Sequence, residues 1–256
     1  MTAATIKDFE PIRTDYEFFE LHSTEAEKDS EAFASHLQPF AASGRKIRLL
    51  DLGCGDGRFT KKLLQKAAIS PDHLGLSLVE PVDEYRKQIP SRLTGFTLEA
   101  PELVHDISYL KKPHFDVIVA NHSLYYVPRL SHTVNKLTKM LAPKGVLLIS
   151  MAGSENFLVK IWERCFAELG IAVPYFKGDD LRKFLDETNA FYRSEQIKYE
   201  LRFPDDQANK LKICRFLMGE YFQRVPIEVM LKCFRGYEDG DKIRVAIEHG
   251  HFIIRT

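Results

Sequence analysis

The chain has 256 residues, 45% of them hydrophobic, and its 36 lysines and arginines balance 36 aspartates and glutamates. This length is enough to bury one large hydrophobic core. Proteins whose main task is binding nucleic acid usually carry a basic excess, so the neutral balance argues against that class. The composition therefore predicts a partner that is a small molecule and not a nucleic acid.

Neither a membrane span nor a metal site is predicted. No apolar run reaches the roughly 18 residues of a transmembrane helix, and the acidic N-terminal stretch lacks the apolar centre of a signal peptide. The four cysteines lack C-x-x-C spacing, which favours free intracellular thiols. We expect a cytoplasmic monomer without a membrane partner.

The first predicted element is helical. Residues 16–25 read YEFFELHSTE, an aromatic run followed by residues that commonly cap helices. Ser23 or Thr24 can cap a helix that begins near Glu25, and Glu25 then lies on a charged face of that helix. Residues 1–40 are therefore predicted as an N-terminal helical segment.

The next element is a strand that runs into a glycine-rich turn. Residues 46–59 read KIRLLDLGCGDGRF, in which an apolar run stops at Asp51 and three glycines follow at alternate positions, Gly53, Gly55 and Gly57. Glycine lets the backbone adopt positive φ and approach a ligand closely. Arg58 stands where the dinucleotide fingerprint G-x-G-x-x-G requires its third glycine, and no phosphate-loop Gly-Lys-Ser/Thr follows. The spacing favours a nucleoside cofactor without a pyrophosphate.

A second apolar strand, residues 74–79, ends in Glu80. An acidic residue at this place, one strand–helix–strand unit after a glycine turn, can accept hydrogen bonds from both hydroxyls of a ribose. Glu80 could equally cap the following helix. Together with the glycine turn, it favours a cofactor that carries a ribose.

Strands and helices continue to alternate, which predicts an α/β fold with a parallel sheet. Residues 96–99 are the best third strand, residues 115–120 the fourth and residues 146–150 the fifth, with a helix over residues 130–141. The later predicted elements are helices over residues 179–190, 208–221 and 227–234 and strands over residues 196–201, 242–247 and 252–255.

The string from Asp51 to Gly57 resembles the first motif of the class I S-adenosylmethionine-dependent methyltransferases. This resemblance implies a Rossmann-like sheet of seven strands, the last one antiparallel, flanked by helices. It also implies one domain over residues 1–256 with a small helical cap from residues 155–240, and S-adenosyl-L-methionine as cofactor. The cofactor-binding residues expected from it are Asp51, Gly53, Gly55, Gly57, Glu80, Asp106, Ile107 and Asn121.

Two further strings resemble histamine N-methyltransferase. One is His22-Ser23-Thr24-Glu25 after the aromatic run, and the other is Leu124-Tyr125-Tyr126-Val127. The resemblance implies methyl transfer to a nitrogen of a small cationic amine or imidazole, with Glu25 holding the substrate. The catalytic residues we expect are Glu25 and His122, which stands just before the tyrosine pair. The substrate-binding residues expected are Tyr16, Phe19, Glu25, His122, Tyr125, Tyr126, Trp162 and Glu248.

The chain departs from the histamine enzymes at two of these positions. His122 stands where that family has a substrate-binding glutamine, and Glu248 stands where it has an asparagine on the last strand. Glu25 and Glu248 would then form a two-carboxylate pocket, and His122 could act as a general base or be structural. The neighbouring His249 and His251 are interpreted as surface residues.

Three alternatives stay open. A carboxyl- or O-methyltransferase would keep the fold and act on another acceptor, and its pocket would be cationic or neutral. A non-catalytic regulatory protein could bind the same cofactor, although it has little use for an intact glycine turn and Glu80. A nucleic-acid methyltransferase is disfavoured by the neutral charge and by the absence of an Asn-Pro-Pro-Tyr-like motif after the fourth strand.

Overall fold

The computed structural model describes residues 7–111 and 114–255. The strands of this part are β1 (Ile47–Leu52), β2 (Leu74–Val79), β3 (Glu102–Val104), β4 (Phe115–Asn121), β5 (Leu141–Met151), β6 (Tyr192–Pro204), β7 (Glu238–Asp239) and β8 (Lys242–Arg255). The α-helices are α1 (Arg13–His22), α2 (Glu25–Ala41), α3 (Arg58–Ala67), α4 (Asp83–Arg92), α5 (Leu130–Lys139), α6 (Phe157–Glu168), α7 (Gly178–Glu187), α8 (Gln207–Met218) and α9 (Ile227–Lys232).

The strands form one sheet in the order β3-β2-β1-β4-β5-β8-β6, and the two-residue β7 pairs with β8. Strands β1 to β5 pair in parallel, and β8 runs antiparallel to both β5 and β6. The expected Rossmann-like sheet with an antiparallel final strand is confirmed, and β7 is the one addition to the seven expected strands. Because the carboxyl ends of β1, β2 and β4 meet at one edge, the loops that follow them lie together.

The central strands are apolar throughout because both faces of the sheet are covered. Leu50 of β1 and Ile118 of β4 belong to the hydrophobic cluster on one face. Leu49 and Val117, one position earlier in each strand, belong to the cluster on the other face. Alternate residues of each strand therefore serve opposite cores.

Two predicted strand positions are corrected. Residues 96–99 are not a strand, and the third strand lies at Glu102–Val104, where it pairs with Ser77–Val79 of β2. This strand is only three residues long, too short to show a period in the sequence. The predicted strands 242–247 and 252–255 are one continuous strand, β8, since Gly250 stays extended within it and pairs with Met151.

The N-terminal helices are joined to β6 at the turn between α1 and α2. Ser23 forms a bridge with Leu201 of β6, and the backbone N–H of Thr24 donates to the carbonyl of Glu200 at 2.9 Å. The Glu200 N–H in turn donates to Thr24 Oγ1 at 2.9 Å. The Ser-Thr pair therefore fixes the first turn of α2 against β6. The first six residues of the predicted segment lie outside the described part of the chain.

Helix α1 packs on α8 across stacked rings of Phe19 and Phe216, whose centroids are 5.1 Å apart. Between β6 and β8 the chain forms α8, a 3-10 turn (Gly219–Arg224) and α9. In the described ranges no helix is both long and apolar enough to cross a bilayer.

We expect Phe115→Ala to lower the free energy of unfolding by about 3–5 kcal/mol, because the Phe115 ring is fully buried at the start of β4 and its removal leaves a cavity. The matched control is Phe191→Ala, whose ring is 82% exposed, and we expect it to change stability by no more than about 0.5 kcal/mol. Urea denaturation of both variants measures the difference, and equal effects would contradict this assignment of the core.

Candidate active site

A cavity of about 600 Å³ lies at the carboxyl ends of β1, β2 and β4, beneath α1, α2, α6 and α8. It is the place where ligands bind in open α/β sheets. Most of the residues predicted for the site line it, namely Asp51, Gly53, Gly55, Glu80, Asp106, Ile107, Asn121, Tyr16, Phe19, Glu25, His122, Tyr125, Tyr126 and Trp162. Gly57 and Glu248 are not among the lining residues.

The glycine turn leaves room for a ligand only because side chains are missing from it. Gly53 has a φ of +71°, and a Cβ on it would lie 2.5 Å from the Cβ of Ser123. Gly55 has a φ of +56°, and a Cβ on it would meet no described atom within 4 Å, so its backbone faces open cavity. Gly57 does not line the cavity. It precedes α3 with a φ of +85° and faces Ile89.

Glu80 closes the turn from the adjacent strand. Its carboxylate accepts hydrogen bonds from the backbone N–H groups of Gly55 and Val82, each at 2.9 Å. Burial raises the pKa of Glu80, and the two N–H donors counter part of that effect. The remaining lone pairs of this carboxylate can accept from ribose hydroxyls, so the turn and Glu80 fit a nucleoside cofactor.

Three polar residues complete the cofactor end. Asp51 is buried and accepts a hydrogen bond from Thr60 Oγ1 at 2.6 Å, and burial raises its pKa to about 7. Asp106 accepts from the backbone N–H of Ser108 at 2.8 Å and so starts the turn that carries Ile107. Asn121 accepts from the Ser150 hydroxyl at 2.6 Å. Asp51 therefore holds the turn, while Asp106 and Asn121 border the cavity.

The other end of the cavity is walled by aromatic rings. Tyr126 lies edge-on to Tyr175, with centroids 5.0 Å apart, and Tyr16 lies 5.2 Å from Phe216. The indole N–H of Trp162 donates to the carbonyl of Leu217 at 2.9 Å, which fixes the ring against α8. The exposed faces of such rings attract cations.

One cation of the chain already sits at this aromatic end. The ammonium of Lys7 lies between 4.7 and 5.9 Å from the ring centroids of Phe9, Tyr126, Tyr175 and Phe216. It also donates to the carbonyl of Leu217 at 3.1 Å. Burial lowers the pKa of Lys7 to about 7. The rings and carbonyls at this end contact the Lys7 nitrogen, while burial there disfavours its charged form.

Glu25 and His122 face each other between the two ends. Glu25 Oε1 lies 3.5 Å from His122 Nε2, and Ser23 Oγ accepts from the Glu25 backbone N–H at 3.1 Å. His122 has a φ of +50°, an unusual conformation that places its ring here. Its Nδ1 bonds the hydroxyl of Tyr125 at 2.9 Å and its Nε2 bonds Asp29 at 3.0 Å. Both ring nitrogens therefore have partners within the protein, which leaves neither free for a substrate proton.

Next to the cavity, the buried carboxylate of Asp29 contacts three imidazoles. Its carboxylate contacts His122, His249 at 2.7 Å and His251 at 2.8 Å, each through Nε2. Burial alone would raise the pKa of Asp29, but the histidines outweigh it and hold the pKa well below its usual range. Burial likewise lowers the pKa of His122, yet Glu25 and the other neighbours raise it well above its usual value.

Two sequence predictions on β8 are corrected here. His249 and His251 are 2% and 0% exposed, so they are core residues and not surface residues. Glu248 is exposed and lies outside the cavity, so no two-carboxylate pocket with Glu25 forms. The reason is the period of two in a strand, which sends residues 247, 249 and 251 inward and residue 248 outward.

Sequence reasoning missed Lys7, Asp29 and Tyr199, which contact the cavity or its floor. Asp29 lies one helical turn after Glu25, so the two side chains lie on the same face of α2. A helical projection of this segment would have placed Asp29 beside Glu25. His249 and His251 have the spacing that puts both side chains on one face of a strand. Lys7 carries no signal in the sequence.

A sheet of this strand order, a glycine turn and a carboxylate at the next strand end together define a class I methyltransferase. Residues 26–194 match the family described as a methyltransferase domain. The chain belongs to this methyltransferase family, and its methyl donor is S-adenosylmethionine.

Curated relatives are similar over part of their length. Malonyl-acyl-carrier-protein O-methyltransferase of Priestia megaterium is 30% identical over 182 residues, which cover 64% of each chain. The enzyme of the same name from Bacillus cytotoxicus is 30% identical over 142 residues, 54% of this chain and 47% of that protein. The chain thus matches about half to just under two thirds of these relatives.

A solved structure is similar over nearly the whole chain. The plantazolicin methyltransferase BpumL, determined in complex with SAH, is 12% identical with a TM-score of 0.55. The superposition covers 95% of this chain and 90% of that protein. At this identity the likeness concerns the fold.

We expect Gly53→Ala to weaken binding of S-adenosylhomocysteine at least tenfold, or about 1.4 kcal/mol, because the new Cβ collides with Ser123 at positive φ. Gly44→Ala is the matched control, since Gly44 has a φ of +67° but open space around its Cβ. Calorimetric titration measures both, and binding by Gly53→Ala equal to that of the control would count against this turn as the cofactor site.

We expect the stability of the protein to depend on Asp51 between pH 4 and 7. Its pKa rises from 3.8 to about 7 on folding, so in this window the folded chain keeps a proton that the unfolded chain releases, and stability falls as the pH rises. Asp51→Asn removes this loss. Its free energy of unfolding relative to wild type should therefore increase by roughly 2 kcal/mol from pH 5 to pH 7.

Denaturation at the two pH values measures this difference. The control is Asp241→Asn, which replaces an exposed carboxylate and should follow the wild type at both values. A constant offset between Asp51→Asn and wild type would show that Asp51 is ionised in the folded chain at pH 5.

Proposed function

We propose that the protein transfers a methyl group from S-adenosylmethionine to a nitrogen of a small cationic amine or imidazole compound. The observation that carries this proposal is the position of the Glu25 carboxylate, which enters an aromatic cavity from the first turn of α2. A carboxylate there can hold an ammonium or accept from an imidazole N–H.

The charge of the cavity supports a cationic acceptor. The cations of its described lining are Lys7, Arg58 and His122, whose pKa is raised well above its usual value, and Arg58 bonds Asp56 at 2.7 Å and Glu20 at 3.0 Å. Against them stand the carboxyl groups of Asp8, Glu20, Glu25, Asp56, Glu80 and Asp106, and that of Asp51, whose pKa of about 7 leaves it partly protonated at neutral pH. A surface of this sign raises the local concentration of cations.

The residues of the chain act mainly by positioning. The bound cofactor supplies an electrophilic methyl group on a sulfonium, and the acceptor nitrogen must approach it in line with an available lone pair. Glu25 would orient the acceptor, and Tyr16, Tyr126 and Trp162 would confine it and exclude water. Holding two reactants in this geometry accounts for a large share of the rate in such displacements.

We assign His122 a positioning role within this mechanism. Its ring contacts Glu25 on one side and Tyr125 on the other, so it limits the rotamers open to the Glu25 carboxylate. The base role is not part of the proposal, because both nitrogens of the ring have protein partners. Helices α1, α6 and α8 would cover the acceptor as a cap.

Methylation of a carboxyl oxygen is the second proposal. It is favoured by the curated relatives, which are named as O-methyltransferases of malonyl-acyl carrier protein. Lys7 is the cation at the acceptor end that could hold a carboxylate. The two proposals differ in the sign of the acceptor's charge, so one experiment separates them.

The experiment offers the purified protein and S-adenosylmethionine a panel of acceptors, and mass spectrometry detects the methylated product. The panel contains histamine, histidine, polyamines and malonyl-acyl carrier protein. We expect methylation of a cationic amine, and we expect Glu25→Gln to lower kcat/KM for it by roughly 10- to 100-fold, because a charge-assisted hydrogen bond to the substrate is lost.

Glu248→Gln is the matched control, because Glu248 is exposed outside the cavity and its loss should leave kcat/KM unchanged. Product from malonyl-acyl carrier protein alone would replace the first proposal with the second. Cofactor binding without methylation of any acceptor in the panel would favour a regulatory protein.

A further inference from the structure

The Asp29 cluster is made of Asp29, His122, His249 and His251. The proposed methyl transfer gives no role to the contacts of Asp29 with His249 and His251. The members of the cluster come from three separate elements, α2, the end of β4, and β8. Three Nε2 atoms converge on the two oxygens of one carboxylate, at 2.7, 2.8 and 3.0 Å. Asp29 is 0% exposed.

The donor atoms are near enough to share an ion. Those of Asp29, His249 and His251 all lie within 4.8 Å of one another, and so do those of Glu25, His122 and His249. Imidazole nitrogen with carboxylate oxygen is the donor set that zinc and similar divalent transition metals prefer. His249 and His251 also alternate on one face of β8, so a rigid strand presents both.

The surroundings of the imidazoles direct them at the same point. In the described structure His249 and His251 have no hydrogen-bond partner at Nδ1, so the polar contacts of both rings are made at Nε2 toward Asp29. His122, which contacts the other oxygen of the Asp29 carboxylate, has a positive φ, a conformation that costs free energy in a residue other than glycine. Such strain is concentrated at functional sites.

We propose that Asp29, His249 and His251 bind one divalent transition-metal ion, with Zn²⁺ as the first ion to test. Three protein ligands leave one coordination position for water or a further side chain, and the free energy of binding contributes to folding. The ion would join α2 to β8. Glu25, one helical turn before Asp29, would then be held at the cavity by the metal-bound helix.

The site is independent of the acceptor, so its test does not depend on activity. The full-length protein, produced without a polyhistidine tag, is stripped with a chelator and titrated with Zn²⁺ and Co²⁺. We expect one ion per chain with a Kd below about 1 µM, and visible absorption bands from the Co²⁺ form. The Tm should rise on metal addition and fall on chelation.

The variants His249→Gln and His251→Gln each remove one ligand and should weaken binding at least ~100-fold. His132→Gln on α5 is the control, because its imidazole is exposed and outside the cluster, and it should bind as wild type does. Asp29→Asn keeps the shape of the side chain and removes its charge, so it tests the ligand set even if a histidine variant does not fold.

Two results would overturn the proposal. One is the absence of saturable binding to the wild type, which would leave a hydrogen-bonded network only. The other is binding by a folded His249→Gln, His251→Gln or Asp29→Asn variant equal to that of His132→Gln, which would place the metal elsewhere on the surface.

Discussion

The site depends on how one buried carboxylate, Asp29, holds α2 against the sheet. Asp29 contacts the last strand through His249 and His251 and the loop after β4 through His122. A buried ionised group must be paired, so these contacts tie three distant parts of the chain to one position. Glu25 lies on the same helix, and its place in the cavity follows from that constraint.

The two ends of the cavity differ in how far the sequence predicts them. The cofactor end is local, since one strand, one turn and the next strand end supply Gly53, Gly55 and Glu80, and an apolar run followed by glycines marks them. The aromatic end joins residues more than 200 positions apart, such as Lys7 and Phe216. No spacing in the sequence records such contacts, so the sequence analysis missed Lys7, and the resemblance to known enzymes supplied only part of this end, such as Tyr126.

The wrong prediction for Glu248 also arises because the sequence does not show where a side chain lies in the fold. A resemblance aligns residues to within a position or so, whereas a strand reverses the direction of its side chains at every residue. A difference of one position exchanged an exposed carboxylate for the buried His249. Because of this one-position difference, and because no motif includes Asp29, the sequence analysis did not predict the histidine cluster. The short third strand escaped notice because three residues cannot display a period.

The place of β8 in the sheet affects the order in which the protein can assemble. This strand inserts between β5 and β6, pairing with β5 through residues 250–255 and with β6 through residues 242–254. Until it is synthesised, β5 and β6 both present open edges, and the partners of Asp29 on β8 do not yet exist. The nascent chain thus carries two open strand edges from the synthesis of residue 204 until that of β8, and this interval is exposed to aggregation and to chaperone binding.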